Sequence, residues 1–186
     1  DHRVLAVAGA PLALSRPQPH WSEQDPADWW RATGEAVAAV RAQAPQAFAA
    51  VLAIGLSGQM HGATLLDEHG ATQRPCILWN DTRSYKEAAL LDADPRFRAI
   101  TGNIVFPGFT APKLAWVKNN EPEIFSQVRW VLLPKDYLRL CMTGEKVGEM
   151  SDAAGTLWLD VERRAWSPEL LAATGLAEKH MPRLVE

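Results

Sequence analysis

The feature that most constrains this chain is an apolar run at residues 51–56, which ends in a polar turn bracketed by glycines, Ser-Gly-Gln-Met-His-Gly at 57–62. A continuous run of apolar or small residues is typical of a strand buried on both faces, as in a parallel sheet covered by helices. Ligands of open α/β sheets bind just beyond the carboxyl ends of such strands. The sequence therefore predicts a central strand at 51–56 and a crevice at Gln59, Met60 and His61.

Helical and strand patterns alternate along the rest of the chain. Strands are predicted at 4–8, 63–67, 75–79 and 129–133, the middle two as a hairpin or adjacent pair, and helices at 81–92, 110–119 and 134–142. Asp81 is predicted to cap the first of these helices. Another helix begins at Asp25 and Pro26, and its apolar face should pack on the strand at 51–56. That face consists of Trp30, Thr33, Val37, Val40 and Ala44. The alternation predicts an α/β fold.

Composition excludes several classes of function. A length of 186 residues suits one globular domain, and a net charge of -3 argues against a nucleic-acid surface. Cys76 and Cys141 both lie in apolar segments, which predicts buried free thiols and a reducing, cytoplasmic setting. No apolar run approaches the ~18 residues of a membrane span. We therefore expect a small-molecule partner, with neither nucleic acid nor membrane.

The sequence also does not match several common catalytic motifs. The segment Gly55-Leu-Ser-Gly-Gln59 has Gln where the nucleophile elbow of hydrolases requires Gly. His61, His69 and Cys76 lack the ligand spacing of a zinc site, so no metal ligand is predicted. Neither a Walker loop nor a Gly-x-Gly-x-x-Gly loop occurs.

What remains is a set of polar and flat apolar side chains suited to a polyol. A sugar needs directional donors and acceptors for its hydroxyls, and apolar surface for its C–H faces. Two adjacent segments supply both, namely Gln59, Met60 and His61, and Trp79, Asn80 and Asp81. The residues alone leave other interpretations open: Met60 and Trp79 as core residues, His61 as a structural histidine, Asp81 as a helix cap.

Residues 108–120, Gly-Phe-Thr-Ala-Pro-Lys-Leu-Ala-Trp-Val-Lys-Asn-Asn, resemble the N-terminal signature of the FGGY carbohydrate kinases, with Lys113 and Trp116 at its fixed spacing. Further segments are similar to the xylulokinase branch of that family: WSEQDPADWW at 21–30, SGQMHG at 57–62, ILWND at 77–81, ITGN at 100–103, LLPKDYLRL at 132–140 and SDAAGTLWLD at 151–160. The resemblance implies an actin-like, ribonuclease-H-like α/β fold. It also implies that residues 1–186 form a single partial domain, the first half of the N-terminal kinase domain.

The resemblance also implies roles for individual residues. Met60 and His61 would contact the ketose, and Gln59 and Trp79 would shape the pocket wall. Lys113 would be a structural residue that pairs with another group of the scaffold, and Trp116 a core residue. No catalytic residue is expected in this chain. The phosphate and magnesium loop is expected before its first residue, and the general-base aspartate and the ATP-binding domain beyond Glu186.

The implied activity is ATP-dependent phosphorylation of D-xylulose to D-xylulose 5-phosphate. ATP and Mg²⁺ would be bound mainly by other parts of the parent enzyme. A homodimer of the parent enzyme is one expected assembly. Two alternatives stay open. One is a sister FGGY kinase for another ketose or polyol, although glycerol kinases carry an Arg-Glu pair where this chain has Gln59, Met60 and His61. The other is a non-catalytic sugar-binding module.

Overall fold

Short helices and strands alternate along the chain, and the computed structural model describes residues 3–186. The helices are α1 (Pro26–Gln43), α2 (Pro45–Ala49), α3 (Tyr85–Asp92), α4 (Pro95–Thr101), α5 (Thr110–Asn120), α6 (Pro122–Gln127), α7 (Pro134–Thr143), α8 (Met150–Ala154) and α9 (Pro168–Ala173). The strands are β1 (Glu23–Gln24), β2 (Thr64–Leu66), β3 (Cys76–Ile77), β4 (Trp130–Leu132), β5 (Val147–Glu149), β6 (Leu159–Asp160), β7 (Ala165–Trp166) and β8 (Arg183–Val185).

Most strand pairs are antiparallel. β2 pairs with β4, β1 with β3 and β6 with β7, whereas β5 and β8 are parallel. A bridge between Ala63 and Ile77 places β2 beside β3, which confirms that the segments at 63–67 and 75–79 are adjacent. The main apolar core lies around Phe97, Leu114 and Trp158, all fully buried.

Helix boundaries follow the capping chemistry of the sequence. The side chain of Asp25 accepts a hydrogen bond from the Ala27 amide, and α1 begins at Pro26 as predicted. Gly144 ends α7 in the left-handed conformation. The helix predicted at 110–119 and the strand predicted at 129–133 are confirmed as α5 and β4, with small shifts of their ends.

The predicted strands at 51–56 and 4–8 are wrong for this chain. Neither segment forms strand hydrogen bonds, and both expose large apolar side chains, with Leu52 100% and Ile54 67% exposed. An apolar pattern indicates a segment suited to burial, but a strand also requires a neighbour to pair with its backbone. No partner strand for these segments lies among residues 3–186.

The buried face of α1 also differs from the prediction. Trp29 and Ala32 are buried, whereas Trp30 and Val37 are 44% and 46% exposed. The helix packs on α7 rather than on a strand at 51–56, and the Trp29 ring meets Tyr137 edge-on at 6.2 Å. The buried face of α1 is therefore rotated by one residue from the predicted face.

Asp81 is not a helix cap, because Ser84 occupies that position before α3. The fully buried Asp81 carboxylate accepts hydrogen bonds from the Ser22 amide at 2.6 Å and from the Arg83 amide at 3.0 Å. It also accepts from the Arg83 guanidinium, with Nε 2.9 Å from Oδ1 and Nη2 2.7 Å from Oδ2. Arg83 also pairs with Glu23, and its guanidinium stacks 3.6 Å from the Trp21 ring centre. This ionic cluster fastens the segment at 20–24 to the rest of the domain.

Candidate functional site

His61 and Trp79 lie at the same edge of the β2–β3 pair. Ala63 pairs with Ile77 in an antiparallel register, which places His61 two residues further along and level with Trp79. The turn therefore precedes a strand instead of following one, so the basis of the prediction was wrong while the proximity it predicted is present. Gly108 abuts the same edge, since a Cβ atom there would lie 2.6 Å from the Trp79 carbonyl oxygen.

The His61 ring is half-buried in a fitted recess. Its Nδ1 lies 2.8 Å from the carbonyl oxygen of Gly155, and its centre lies 4.5 Å from that of Phe109. A Cβ atom on Gly155 would come within 2.5 Å of the ring, so this position has room only for glycine while the ring stays in place. The loop after α8 and the start of α5 thus fix the imidazole between them.

Burial sets the protonation state of this imidazole. Loss of solvent lowers the pKa of His61, and the positive charge of Lys113 lowers it further, while the Gly155 hydrogen bond and the Asp152 carboxylate oppose the change. A neutral ring facing a carbonyl oxygen carries its proton on Nδ1. The lone pair of Nε2 is then the acceptor, and Nε2 makes no hydrogen bond with any residue of the described range 3–186.

The backbone of His61 is held as firmly as its ring. Its φ of 64° is in the left-handed region, which costs an L-residue about 1–2 kcal/mol. The carbonyl oxygen accepts hydrogen bonds from Thr110 Oγ1 at 3.1 Å and Lys113 Nζ at 2.9 Å. Lys113 pairs with the backbone: its Nζ donates to the carbonyl oxygens of His61 and Gly108.

The other predicted residues divide into two groups. Met60 and Trp79 are 53% and 54% exposed beside His61, so they present apolar surface to solvent instead of filling the core. Gln59 faces elsewhere: its Nε2 lies 3.2 Å from Gln24 Oε1, and its side chain lines a cavity of about 280 Å³ beneath α1. Asp81 is hydrogen-bonded within the ionic cluster and does not reach this surface.

The contacts of Gly155 and Phe109 with His61 were not predicted from the sequence. Both residues lie in segments quoted for the family resemblance, but both are far from His61 along the chain, Gly155 by 94 residues, and no local sequence pattern indicates such contacts.

Of the scaffold residues, Trp116 is half-buried against the core and meets Trp21 edge-on at 5.4 Å. Cys76 and Cys141 are free thiols, and burial raises the pKa of Cys76 to about 12, so that thiol is inert.

Two further observations bound the chemistry of the described residues. Residues 3–186 contain no group of three or more His, Cys, Asp or Glu side chains arranged to hold a metal ion. None of their helices combines the length and apolar character needed to cross a membrane.

Comparisons with known proteins agree with this architecture. The N-terminal domain of the FGGY family of carbohydrate kinases matches residues 1–186. The chain is 55% identical to the xylulose kinase of Escherichia coli strain K12 over 98% of its own length, and it spans 38% of that relative.

Solved structures give the same result. A xyloylose kinase from Brucella ovis superposes with a TM-score of 0.95 at 66% identity, over 96% of this chain and 37% of the other. Xylulose kinase from Rhodospirillum rubrum superposes with a TM-score of 0.92 at 30% identity, over 100% of this chain and 39% of the other. The superpositions confirm the mixed α/β fold class expected from the sequence.

Proposed function

Because the chain belongs to the FGGY family of carbohydrate kinases, we propose that it supplies the sugar-contacting wall of an ATP-dependent kinase that phosphorylates D-xylulose to D-xylulose 5-phosphate. The choice of D-xylulose rests on similarity to xylulose kinases, including 55% identity to that of Escherichia coli. Met60 and His61 are the proposed contacts with the ketose, and Trp79 the adjoining apolar surface. The cavity lined by Gln59 lies on another side of the turn, so Gln59 is a supporting residue in this proposal.

The observation that carries the proposal is the imidazole of His61, held in place by Gly155 and Phe109. Its Nδ1 proton is engaged by Gly155, so Nε2 is left to accept a hydrogen bond from a sugar hydroxyl. The exposed side chains of Met60 and Trp79 flank it and offer surface to the C–H faces of a sugar. A preformed acceptor between two apolar surfaces suits an uncharged polyol better than a charged ligand.

Phosphoryl transfer needs ATP, a divalent metal ion and a base arranged around the attacking hydroxyl. The described residues contain no group of three or more acidic, histidine or cysteine side chains that could hold a metal ion by themselves. The chain spans about 38% of the length of the curated relatives it matches. In this proposal the nucleotide and the metal are bound by other parts of the parent enzyme, and the general-base aspartate lies beyond Glu186.

The test is steady-state kinetics of the His61→Ala variant in the full-length enzyme that contains this chain. Removing a hydrogen bond and leaving a buried partner unsatisfied costs about 1–3 kcal/mol, and 1.4 kcal/mol is about tenfold. We expect kcat/KM for D-xylulose to fall roughly ten- to several-hundredfold, with little change in the KM for ATP. Met60→Ala should have a smaller effect, because only packing is lost.

His69→Ala provides the matched control, since His69 is exposed in the turn before β3. Its kinetics should equal those of the unmodified enzyme. The proposal fails if His61→Ala lowers the melting temperature while the remaining folded enzyme keeps the original KM for D-xylulose. Assaying glycerol and other ketoses alongside D-xylulose separates a xylulose kinase from a sister kinase, and activity with none of them would indicate a binding module.

A further inference from the structure

Two side chains of the first turn of α5 converge on one backbone atom of the candidate site. Thr110 and Lys113, three residues apart and so on the same helix face, both donate to the carbonyl oxygen of His61. Lys113 Nζ also donates to the carbonyl oxygen of Gly108 at 2.5 Å. One ammonium or amine group therefore joins the His61 turn to the segment that leads into α5.

The chemistry of Lys113 suits this bridging contact. Its side chain is fully buried, and burial lowers its pKa from 10.5 to about 7. A neutral amine keeps two N–H donors, which equals the number of carbonyl oxygens it contacts. Lys113 can thus satisfy both acceptors without leaving a full charge inside the domain.

The Lys113 contacts join two segments that both hold the His61 ring in place. His61 has a left-handed backbone, which persists only where its surroundings hold it. On the other side, Gly108 abuts the Trp79 carbonyl and Phe109 contacts the His61 ring. A shift of the His61 peptide relative to residues 108 and 109 would turn its imidazole away from Phe109 and from Gly155.

We propose that Lys113 is a positioning residue, which sets the direction of the His61 imidazole by binding the carbonyl oxygens of His61 and Gly108 without touching the sugar. The proposal rests on the proposed function insofar as His61 contacts D-xylulose. It goes beyond that function by assigning a task to a buried lysine whose side-chain nitrogen contacts two backbone carbonyl oxygens.

The kinetic test is a double-mutant cycle in the full-length enzyme, with Lys113→Met, His61→Ala and the double variant. Lys113→Met should raise the KM for D-xylulose roughly tenfold, with a smaller change in kcat and none in the KM for ATP. The double variant should match His61→Ala, because two residues that act through one contact are not additive. An equal rise in KM on adding Lys113→Met to the His61→Ala enzyme would overturn the proposal.

Val117→Ala is the matched control for loosening of the helix, because Val117 is also fully buried on α5. It should lower the melting temperature and leave the KM for D-xylulose unchanged. If Lys113→Met does not fold, Thr110→Val removes the second donor to the His61 carbonyl and leaves the lysine in place. It should raise the KM for D-xylulose about threefold, and an unchanged KM would count against the proposal.

A second readout does not depend on sugar binding. Burial lowers the pKa of His61, and an NMR titration of the histidine rings measures that pKa directly. Lys113→Met should move it upward, because a ring released from its recess becomes more exposed to solvent while Asp152 remains. Val117→Ala should leave it unchanged.

The titration also separates the two proposals. An unaltered His61 titration in Lys113→Met overturns the positioning role, whatever the kinetics show. A shifted titration together with an unaffected His61→Ala enzyme overturns only the sugar contact.

Discussion

Gly155 gives the sharpest test of the His61 recess, through the change Gly155→Ala. The glycine ends α8 with φ −72° and ψ −2°, a conformation that alanine adopts freely, so the backbone is not strained by the change. The added Cβ would lie 2.5 Å from the ring of His61, whereas ordinary contacts are 3.4–4 Å. The ring therefore has to withdraw by about 0.9 Å, the difference between 2.5 and 3.4 Å.

The energies make the effect on the sugar larger than the effect on the fold. Loss of the bond between His61 Nδ1 and the Gly155 oxygen costs about 0.5–1.5 kcal/mol. Replacing glycine at a compatible position returns about 0.4–1 kcal/mol by restricting the unfolded chain. The free energy of unfolding should change by less than about 1 kcal/mol. A displaced imidazole should cost at least about tenfold in kcat/KM for D-xylulose.

The assay combines urea denaturation with steady-state kinetics of the full-length enzyme that contains this chain. Gly34→Ala is the matched control, since a Cβ there meets nothing within 4 Å and α1 should gain about 0.5–1 kcal/mol without any kinetic change. Combined with His61→Ala, Gly155→Ala should have no further kinetic effect. A Gly155→Ala enzyme with unaltered kcat/KM for D-xylulose would refute the reasoning.

Other parts of the chain give further predictions. Arg83→Met should lower the free energy of unfolding by about 3–5 kcal/mol in urea titrations, because Asp81 is left as a buried, unpaired charge; a loss below about 1 kcal/mol would contradict the role of the ionic cluster. The unfolded chain binds a proton at Lys113 that the folded chain releases between pH 7 and 10.5, so stability should rise with pH across that window, and Lys113→Met should flatten the slope. The exposed residues Leu52 and Ile54 should make the isolated chain self-associate in sedimentation experiments, and changing both to Lys should reduce this association. Finally, the rigorously purified chain should not phosphorylate D-xylulose with ATP, since the proposed function assigns the nucleotide, the metal and the general base to other parts of the parent enzyme; product formation in a coupled assay would refute this.

Local chemistry made much of the fold predictable. Asp25 before Pro26 and Gly144 after α7 mark helix ends through hydrogen bonds between residues close in sequence. The strand at 51–56 could not be judged in this way, because strand formation depends on a distant neighbour as well as on the segment itself. Asp81 shows the same limit, since a cap and a buried ion pair look alike until Arg83 and Glu23 are placed in space.

The candidate site was predictable in part. His61, Met60 and Trp79 were singled out from their residue types and from the family resemblance, and they share one edge of the β2–β3 pair. The supports of His61 were not found. Gly155 leaves room for the His61 ring because it has no Cβ atom, and Lys113 contacts backbone oxygens. Neither contact is indicated by residue type or spacing in the sequence.

The left-handed backbone of His61 also restricts how this position can change during evolution or laboratory selection. With φ at 64°, Asn, Asp and Gly fit the same backbone at low cost, whereas Val, Ile and Thr do not. Substitutions that keep the turn intact are therefore limited to a few small or polar residues. If His61 contacts the sugar as proposed, a variant with a different sugar preference should arise through the change His61→Asn rather than through a branched apolar residue, and libraries at this position can be small.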